Sequence, residues 1–407
     1  MAKFRILSLD GGGSWALLQV MALQALYSEN ARGQEILKDF DLVAANSGGS
    51  ITLGGLIENF TLRDLLTKFF LDQQKRNQIF TPIPFRESLE DKIYALVGAA
   101  PRYQTAAKLT ALQNSLTTFG SCPMSELPPR IAHSAGRSPH FLITAFDYDW
   151  KRAVYFRSNR KSRAASSFSS ADPALAEAIH ASSTAPVQFF DSPAEFGGRR
   201  YWDGGVAGLN NPLLAAVIEA LAGGAAPADI VALSIGTGSV RLPVAGPGVE
   251  GDPKLIQPLI DGASIPGNLR ALAGAIVDDP PDAATFEAYV ALGLPLPDPS
   301  RPEPVSSDRL VRISPMIEPV FGADGVWTSP AGLSLDDFAA IAKVEMDAVK
   351  PEEVGLIRNL GTEWLRDRIP NQPIRANSKG LGCEIGHAHF SQAKDAWNRA
   401  RAPVAGA

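Results

Sequence analysis

The stretch from Phe40 to Ser50 constrains this chain more than any other. Leu42-Val43-Ala44-Ala45 reads as a short buried strand, and it runs through Asn46 into Ser47 without a spacer. Gly48 and Gly49 follow, and then apolar residues at helical spacing: Ile51, Leu53, Leu56 and Ile57. A strand that breaks abruptly into a helix with a serine at the corner is a nucleophile elbow. The corner has to be sharp so that the hydroxyl stands above the sheet and is not packed into it. Side chains two residues before and two after would collide across it, so both must be small. Here they are Ala45 and Gly49; glycine is usual at both, which makes Ala45 a departure. Ser-Gly-Gly alone is equally a turn that caps a helix, so the motif needs context.

That context lies upstream. Arg5 to Leu9 is a strand, followed by Asp10-Gly11-Gly12-Gly13. A helix then begins at Ser14 or Trp15, with Leu17, Leu18, Met21, Leu23 and Leu26 at helical spacing. Strand, helix, strand predicts a right-handed crossover between parallel strands, which puts the glycine loop and Ser47 at the same carboxyl edge of a sheet. A serine hydroxyl needs a base for its proton, and a tetrahedral intermediate needs donors for its oxyanion. Bare amides at the start of a helix can supply those donors, and the helix terminus adds favourable potential. Gly11, Gly12 and Gly13 fit that role, together with the N–H of Gly48.

A rival reading is dinucleotide binding, since Gly11-x-Gly13-x-x-Ala16 satisfies the short fingerprint. It requires an acidic residue at the end of the second strand to hold ribose. Ala44-Ala45-Asn46 stands there instead.

For the base, a Ser-Asp-His hydrolase would need several strands ahead of the elbow, and there is room for two. Its histidine would have to be His387 or His389, close to the chain end; His133, His140 and His180 precede Asp203 in ordinary contexts. Asp203 is the stronger candidate, in a strand-end Asp203-Gly204-Gly205 turn. A carboxylate is a weak base in water, but in a dry site beside Ser47 it becomes a workable one. The competing role for Asp203 is an Asx turn.

The chain has 407 residues, room for either two domains or one elaborated α/β domain with insertions. A net charge of -5 argues against nucleic acid as a partner. Cys122 and Cys383 stand far apart, without metal-binding spacing, and read as thiols of a reducing compartment. The amino end enters a strand at once, with no signal-peptide pattern, and no stretch is long and apolar enough to span a bilayer. These features point to a cytoplasmic protein whose membrane contact is peripheral.

Residues from about 62 to 130 read as a helical insertion or lid. Phe141–Phe146 and Ala153–Phe156 bracket a hairpin turn, and Arg157 to Arg163 is a basic run: either a solvated loop or a contact for anionic headgroups. Pro173 to Ala181 and Leu213 to Leu221 are helical, and Ile230 to Ile235 is a buried strand. Proline and glycine are dense from Val240 to Ser307. Beyond, Leu310 to Ile313 is a strand, and Ser334 caps a helix carrying Phe338, Ile341 and Val344 to near Pro351. Another helix runs from Glu352 to about Arg366, and Ala400 to Ala407 read as frayed.

Asp10-Gly11-Gly12-Gly13, Ala45-Asn46-Ser47-Gly48-Gly49, Ala181-Ser182-Ser183-Thr184-Ala185-Pro186, Asp203-Gly204-Gly205, Asn210-Asn211-Pro212 and Ser234-Ile235-Gly236-Thr237-Gly238 occur in the order seen in patatin-like phospholipases. The resemblance spans roughly residues 4 to 240. It implies a three-layer α/β/α fold with a mostly parallel sheet, a Ser47–Asp203 dyad without histidine, an oxyanion hole at the glycine loop, and lipid acyl hydrolysis with neither metal nor cofactor. It also divides the chain into a catalytic part, 1–240, and a helical, loop-rich extension, 241–407, with no recognised match. Trp15 stands where the family has Arg or Lys, and Ala16 where it has glycine; Trp15 is either core packing or an apolar lip for an acyl chain. With Ala45, these departures keep a second reading open, a catalytically degenerate module that binds lipid or a partner.

Overall fold

Successive residues of a strand point to opposite faces, so a strand that is apolar throughout needs cover on both sides. The computed structural model describes residues 3–84, 100–131, 138–164, 172–246, 251–257, 281–298, 303–322, 325–376 and 382–402. Its central sheet holds eight strands: β1 (Phe4–Leu9), β2 (Leu42–Ala45), β3 (His140–Asp147), β4 (Arg152–Arg157), β5 (Ala194–Phe196), β6 (Arg199–Asp203), β7 (Ile230–Ile235) and β8 (Leu310–Ile313). β3, β2, β1, β7 and β8 are parallel neighbours in that order, and β4, β6 and β5 join antiparallel at the β3 end.

The longer helices are α1 (Leu17–Leu26), α2 (Ser47–Ile57), α3 (Thr105–Ser115), α4 (Leu175–Ser182), α5 (Leu213–Ala222), α6 (Pro281–Ala291), α7 (Pro351–Leu365) and α8 (Phe390–Arg401). The register row Phe141, Val43, Leu7, Leu233 and Val311 packs into one core with residues of α1, α2, α4, α7 and α8. The adjacent row of Leu42, Ile6, Ala232 and Leu310 packs on the other side, against Leu213, Ala216 and Val217 of α5 and Tyr289 of α6. The fold is therefore α/β/α in three layers, as the sequence led us to expect.

Two features of the register build a site. Ile143, Ala45, Leu9, Ile235 and Ile313 share one row at the carboxyl ends of the parallel strands, so Thr144, Asn46, Asp10, Gly236 and Ser314 follow side by side. β3 gives one edge to β4 and the other first to β2, up to Ile143, and then to β6, with Asp203 opposite Ala145. The end of β6 thus arrives at the point where β2 has just stopped.

Several expectations need correction. A 3-10 turn, Gly13–Ala16, precedes α1, which starts only at Leu17. Ser334 does cap a helix, its hydroxyl accepting the Asp337 N–H at 3.0 Å, but that helix stops at Ile341 and does not continue to Pro351. Beyond its end, residues 345–347 give their carbonyls to Ser14 and Trp15, which follow the glycine loop. Ala400 and Arg401 are helical and not frayed, with Ala400 buried; residues 403–407 lie outside the described set.

Of the insertion expected over 62–130, residues 85–99 lie outside the described residues; the remainder includes α3 and short helices at Leu62–Leu65, Gln73–Ile79 and Leu127–Arg130. Arg157, first of the basic run, is turned inward against Glu219 at 2.9 Å. Among the described residues no helix is long and apolar enough to cross a membrane.

Candidate active site

Ser47 is the first residue of α2 and has φ of 46°, a left-handed value that costs a non-glycine residue about 1–3 kcal/mol. Such strain persists only where the surroundings hold it. A Cβ on Gly49 would sit 2.4 Å from the Leu9 carbonyl oxygen, and one on Gly48 would sit 2.5 Å from that of Gly13. The bare backbone lets the corner close against β1 and the glycine loop. Ala45, the small departure, points into the core shared with α1, α2, α4, α7 and α8 and is fully buried there. The Ser47 N–H donates to Ser182 Oγ at 2.9 Å, so the serine run before Pro186 serves the elbow directly.

Asp203 is the other half of the corner. Its backbone N–H donates to the Thr184 carbonyl at 2.8 Å, and its Oδ1 accepts from the Gly205 N–H at 2.8 Å and from Asn46 Nδ2 at 3.1 Å. The Ser47 side chain acts on the same carboxylate, as one of the groups that pull its pKa down. Burial pushes the Asp203 carboxyl above the usual carboxylate range, against the pull of those hydrogen bonds and of the Lys108 charge. Asp203 therefore does make the Asx-type cap that was its plain reading, and it faces Ser47 as well. Asn46 ties both sides together, its Oδ1 accepting from Thr144 Oγ1 at 2.7 Å. A Cβ on Gly204 would lie 2.3 Å from that oxygen, which accounts for the first glycine of the turn.

The glycine loop is held from three sides. The Gly11 N–H donates to the Asn210 carbonyl at 2.8 Å, Thr237 Oγ1 donates to the Gly11 carbonyl at 2.6 Å, and the Ser14 N–H donates to the Met346 carbonyl at 2.7 Å. Gly12 and Gly13 adopt φ of 146° and 56°. Their N–H groups donate to no acceptor among the described residues, and Gly48, second in α2, has no intrahelical acceptor for its own. The Gly11 amide is thus already engaged, leaving Gly12, Gly13 and Gly48 as the amides open to an oxyanion. Beneath the loop, Asp10 pairs with Arg312 at 2.6 Å, both fully withdrawn from solvent. Trp15 is buried in the same core as Ala45, and its indole N–H donates to the Glu345 carbonyl at 3.2 Å.

The space above Ser47 is lined by Gly13, Gly48, Ile51, Phe80, Phe189 and Met346, among others, and leaves a cavity of about 20 Å³, room for little more than a water. No histidine hydrogen-bonds to Ser47 or Asp203 among the described residues. His140 meets Ser158, His180 of α4 and His387 are buried, His389 precedes α8 without a side-chain cap, and His133 lies outside the described residues.

Sequence reasoning missed Lys108, Arg312 and Met346. Lys108 left a signal: Thr105, Lys108, Ala111 and Leu112 share the buried face of α3, so a lysine sits on an apolar stripe. Arg312 and Met346 left none, because only the fold brings them to the loop.

The patatin-like phospholipase model matches residues 7–217. An intracellular phospholipase A2 of Caenorhabditis elegans is 28% identical over 214 residues, 52% of this chain but only 16% of that protein. Among solved structures, human GIVD cytosolic phospholipase A2 bound to methyl gamma-linolenyl fluorophosphonate is 13% identical, with a TM-score of 0.39 over 88% of this chain and 56% of that one. VipD from Legionella pneumophila is 12% identical, with a TM-score of 0.36 over 89% of this chain and 67% of that one. Neither superposition is close enough to carry an argument about the site. The family match, spanning more than half of the sequence and both halves of the Ser47–Asp203 corner, places this chain in the patatin-like phospholipase family.

Proposed function

We propose that this protein is a serine acyl hydrolase that cleaves fatty-acyl esters of phospholipids or related lipids. The observation that carries the reading is the strained Ser47 corner beside the buried Asp203 carboxylate, on which the Ser47 side chain acts. Ser47 Oγ attacks the ester carbonyl while its proton passes to Asp203. The Gly12, Gly13 and Gly48 amides hold the oxyanion, where donors in a dry site act most strongly. The intermediate collapses, the alcohol leaves with the proton from Asp203, and an acyl-enzyme remains. Water then attacks, again giving its proton to Asp203, and the second collapse returns that proton to Ser47 with release of the fatty acid.

A carboxylate raised by burial is a better base than a free one, but it must be ionised to accept a proton. The rate therefore rises as pH climbs through the elevated Asp203 pKa. The lining of Ile51, Phe80, Phe189 and Met346 suits an acyl chain, and a cavity this small admits one only after those side chains part. Peripheral contact with a lipid surface would supply that opening together with the substrate.

The degenerate-module reading drew on Ala45 and Trp15. Both side chains are packed in the core and neither borders the cavity, so neither bears against catalysis. The test is fatty-acid release from a panel of phospholipids, galactolipids and simple esters. Release that disappears in Ser47→Ala supports the proposal. Vesicle binding without any release by the wild-type chain would favour the binding module.

A further inference from the structure

Helix α3 brings a lysine where a side chain of that kind is expensive to bury. An ammonium loses its hydration there and has to be compensated. Lys108 is wholly inaccessible, and among the described residues no carboxylate makes an ion pair with it. Its Nζ donates to Thr184 Oγ1 at 2.6 Å and stands 4.0 Å over the Phe190 ring. Thr184 spends its own hydroxyl proton on the His180 carbonyl at 2.6 Å, so its Oγ1 must accept from Lys108. The Thr184 carbonyl is also the acceptor for the Asp203 N–H. Lys108 borders the cavity above Ser47, where it is the one ionisable side chain of basic type among the described lining residues.

The groups around it set what can titrate. Asp203 is the anion that acts on Lys108; burial lowers the lysine and raises the carboxyl, while their attraction opposes both shifts. His180, facing from α4, is pushed down to about 2 by burial and stays neutral. Phe190 packs in turn on Tyr103, whose hydroxyl donates to Asp347, and Arg102 pairs with Asp347 at 3.2 Å and Glu345 at 2.6 Å.

We infer that Lys108 is a positioning residue of the hydrolytic site, acting on Asp203 through the Thr184 link and through its own charge. The inference rests on the dyad proposed above. While it is protonated, Lys108 favours the ionised carboxylate, so Asp203 goes on accepting protons to a lower pH than it would alone. A lysine that merely filled space would leave that limit untouched.

The experiment compares kcat/KM for a soluble fatty-acyl ester across pH in the full chain, Lys108→Met, Thr184→Val and Thr184→Ser, with fluorophosphonate labelling of Ser47 as a parallel readout. Lys108→Met should move the acid limb to higher pH by about one unit, with turnover on the alkaline plateau within a few-fold of wild type. Its melting temperature should not fall, since an apolar side chain replaces a buried amine. Thr184→Val should shift the limb in the same direction by less, and Thr184→Ser should restore it. An unmoved limb in Lys108→Met, with labelling and turnover intact, overturns the inference and leaves the dyad standing. Should Lys108→Met not fold, an unmoved limb in Thr184→Val does the same. A wild-type chain that neither turns over nor labels at Ser47 overturns both.

Discussion

Two regions meet at the candidate site by different means. The motif rim, from the glycine loop to the Asp203 turn, meets it through residues whose identity the backbone dictates: a serine at φ of 46°, glycines where a Cβ would strike a carbonyl, an aspartate capping its own turn. The chain beyond residue 240 meets the same loop through contacts that any compatible partner could make. Arg312 of β8 pairs with Asp10, and the Met346, Asp347 and Glu345 carbonyls take the Ser14 N–H, the Ser14 hydroxyl and the Trp15 indole N–H. The contrast separates what performs the proposed chemistry from what holds it in place. Substitutions in the first region should strike turnover, and those in the second should strike stability.

The largest effect should come from the rim. Ser47→Ala and Asp203→Asn should each lower kcat/KM for ester hydrolysis by at least about a thousand-fold with an unchanged circular dichroism spectrum. Near-wild-type turnover in either would erase the distinction. Next comes the support: Arg312→Met leaves Asp10 buried without its cation and should cost roughly 3–5 kcal/mol in denaturant unfolding. A loss well below that would mean the pair is not what anchors the loop.

Gly13→Ala lies between the two classes. It meets the Met346 carbonyl oxygen at 2.3 Å and a left-handed φ, so a loss of about 1–3 kcal/mol in stability should accompany a fall in turnover. Smallest is Trp15→Phe, which forfeits one hydrogen bond to the Glu345 carbonyl. It should cost about 1 kcal/mol in unfolding and leave kcat unchanged. A large loss of turnover there would place Trp15 in the substrate path instead.

The same division decides what could be read in advance. The elbow, the glycine loop and the Asp203 turn were legible because a positive φ and close backbone approach admit few residue types. The parallel sheet followed from apolar runs and the crossover rule. The helix from Ser334 ran too long in the sequence reading because Val344 continues its apolar spacing, yet residues 345–347 leave it to serve Ser14 and Trp15. Arg312 lies inside an ordinary strand pattern, and nothing local says that β1, beyond β7 in the sheet, leads into Asp10. Lys108 was visible as a misplaced charge on an apolar stripe, but its meeting with Thr184 depends on how α3 packs against α4.

The most direct measurement is reaction of the intact chain with a fluorophosphonate probe, followed by mapping of the modified peptide. The account predicts a single adduct on Ser47, absent in Ser47→Ala and much slower to form in Asp203→Asn. An unlabelled wild-type chain, or an adduct on a different serine, would contradict it.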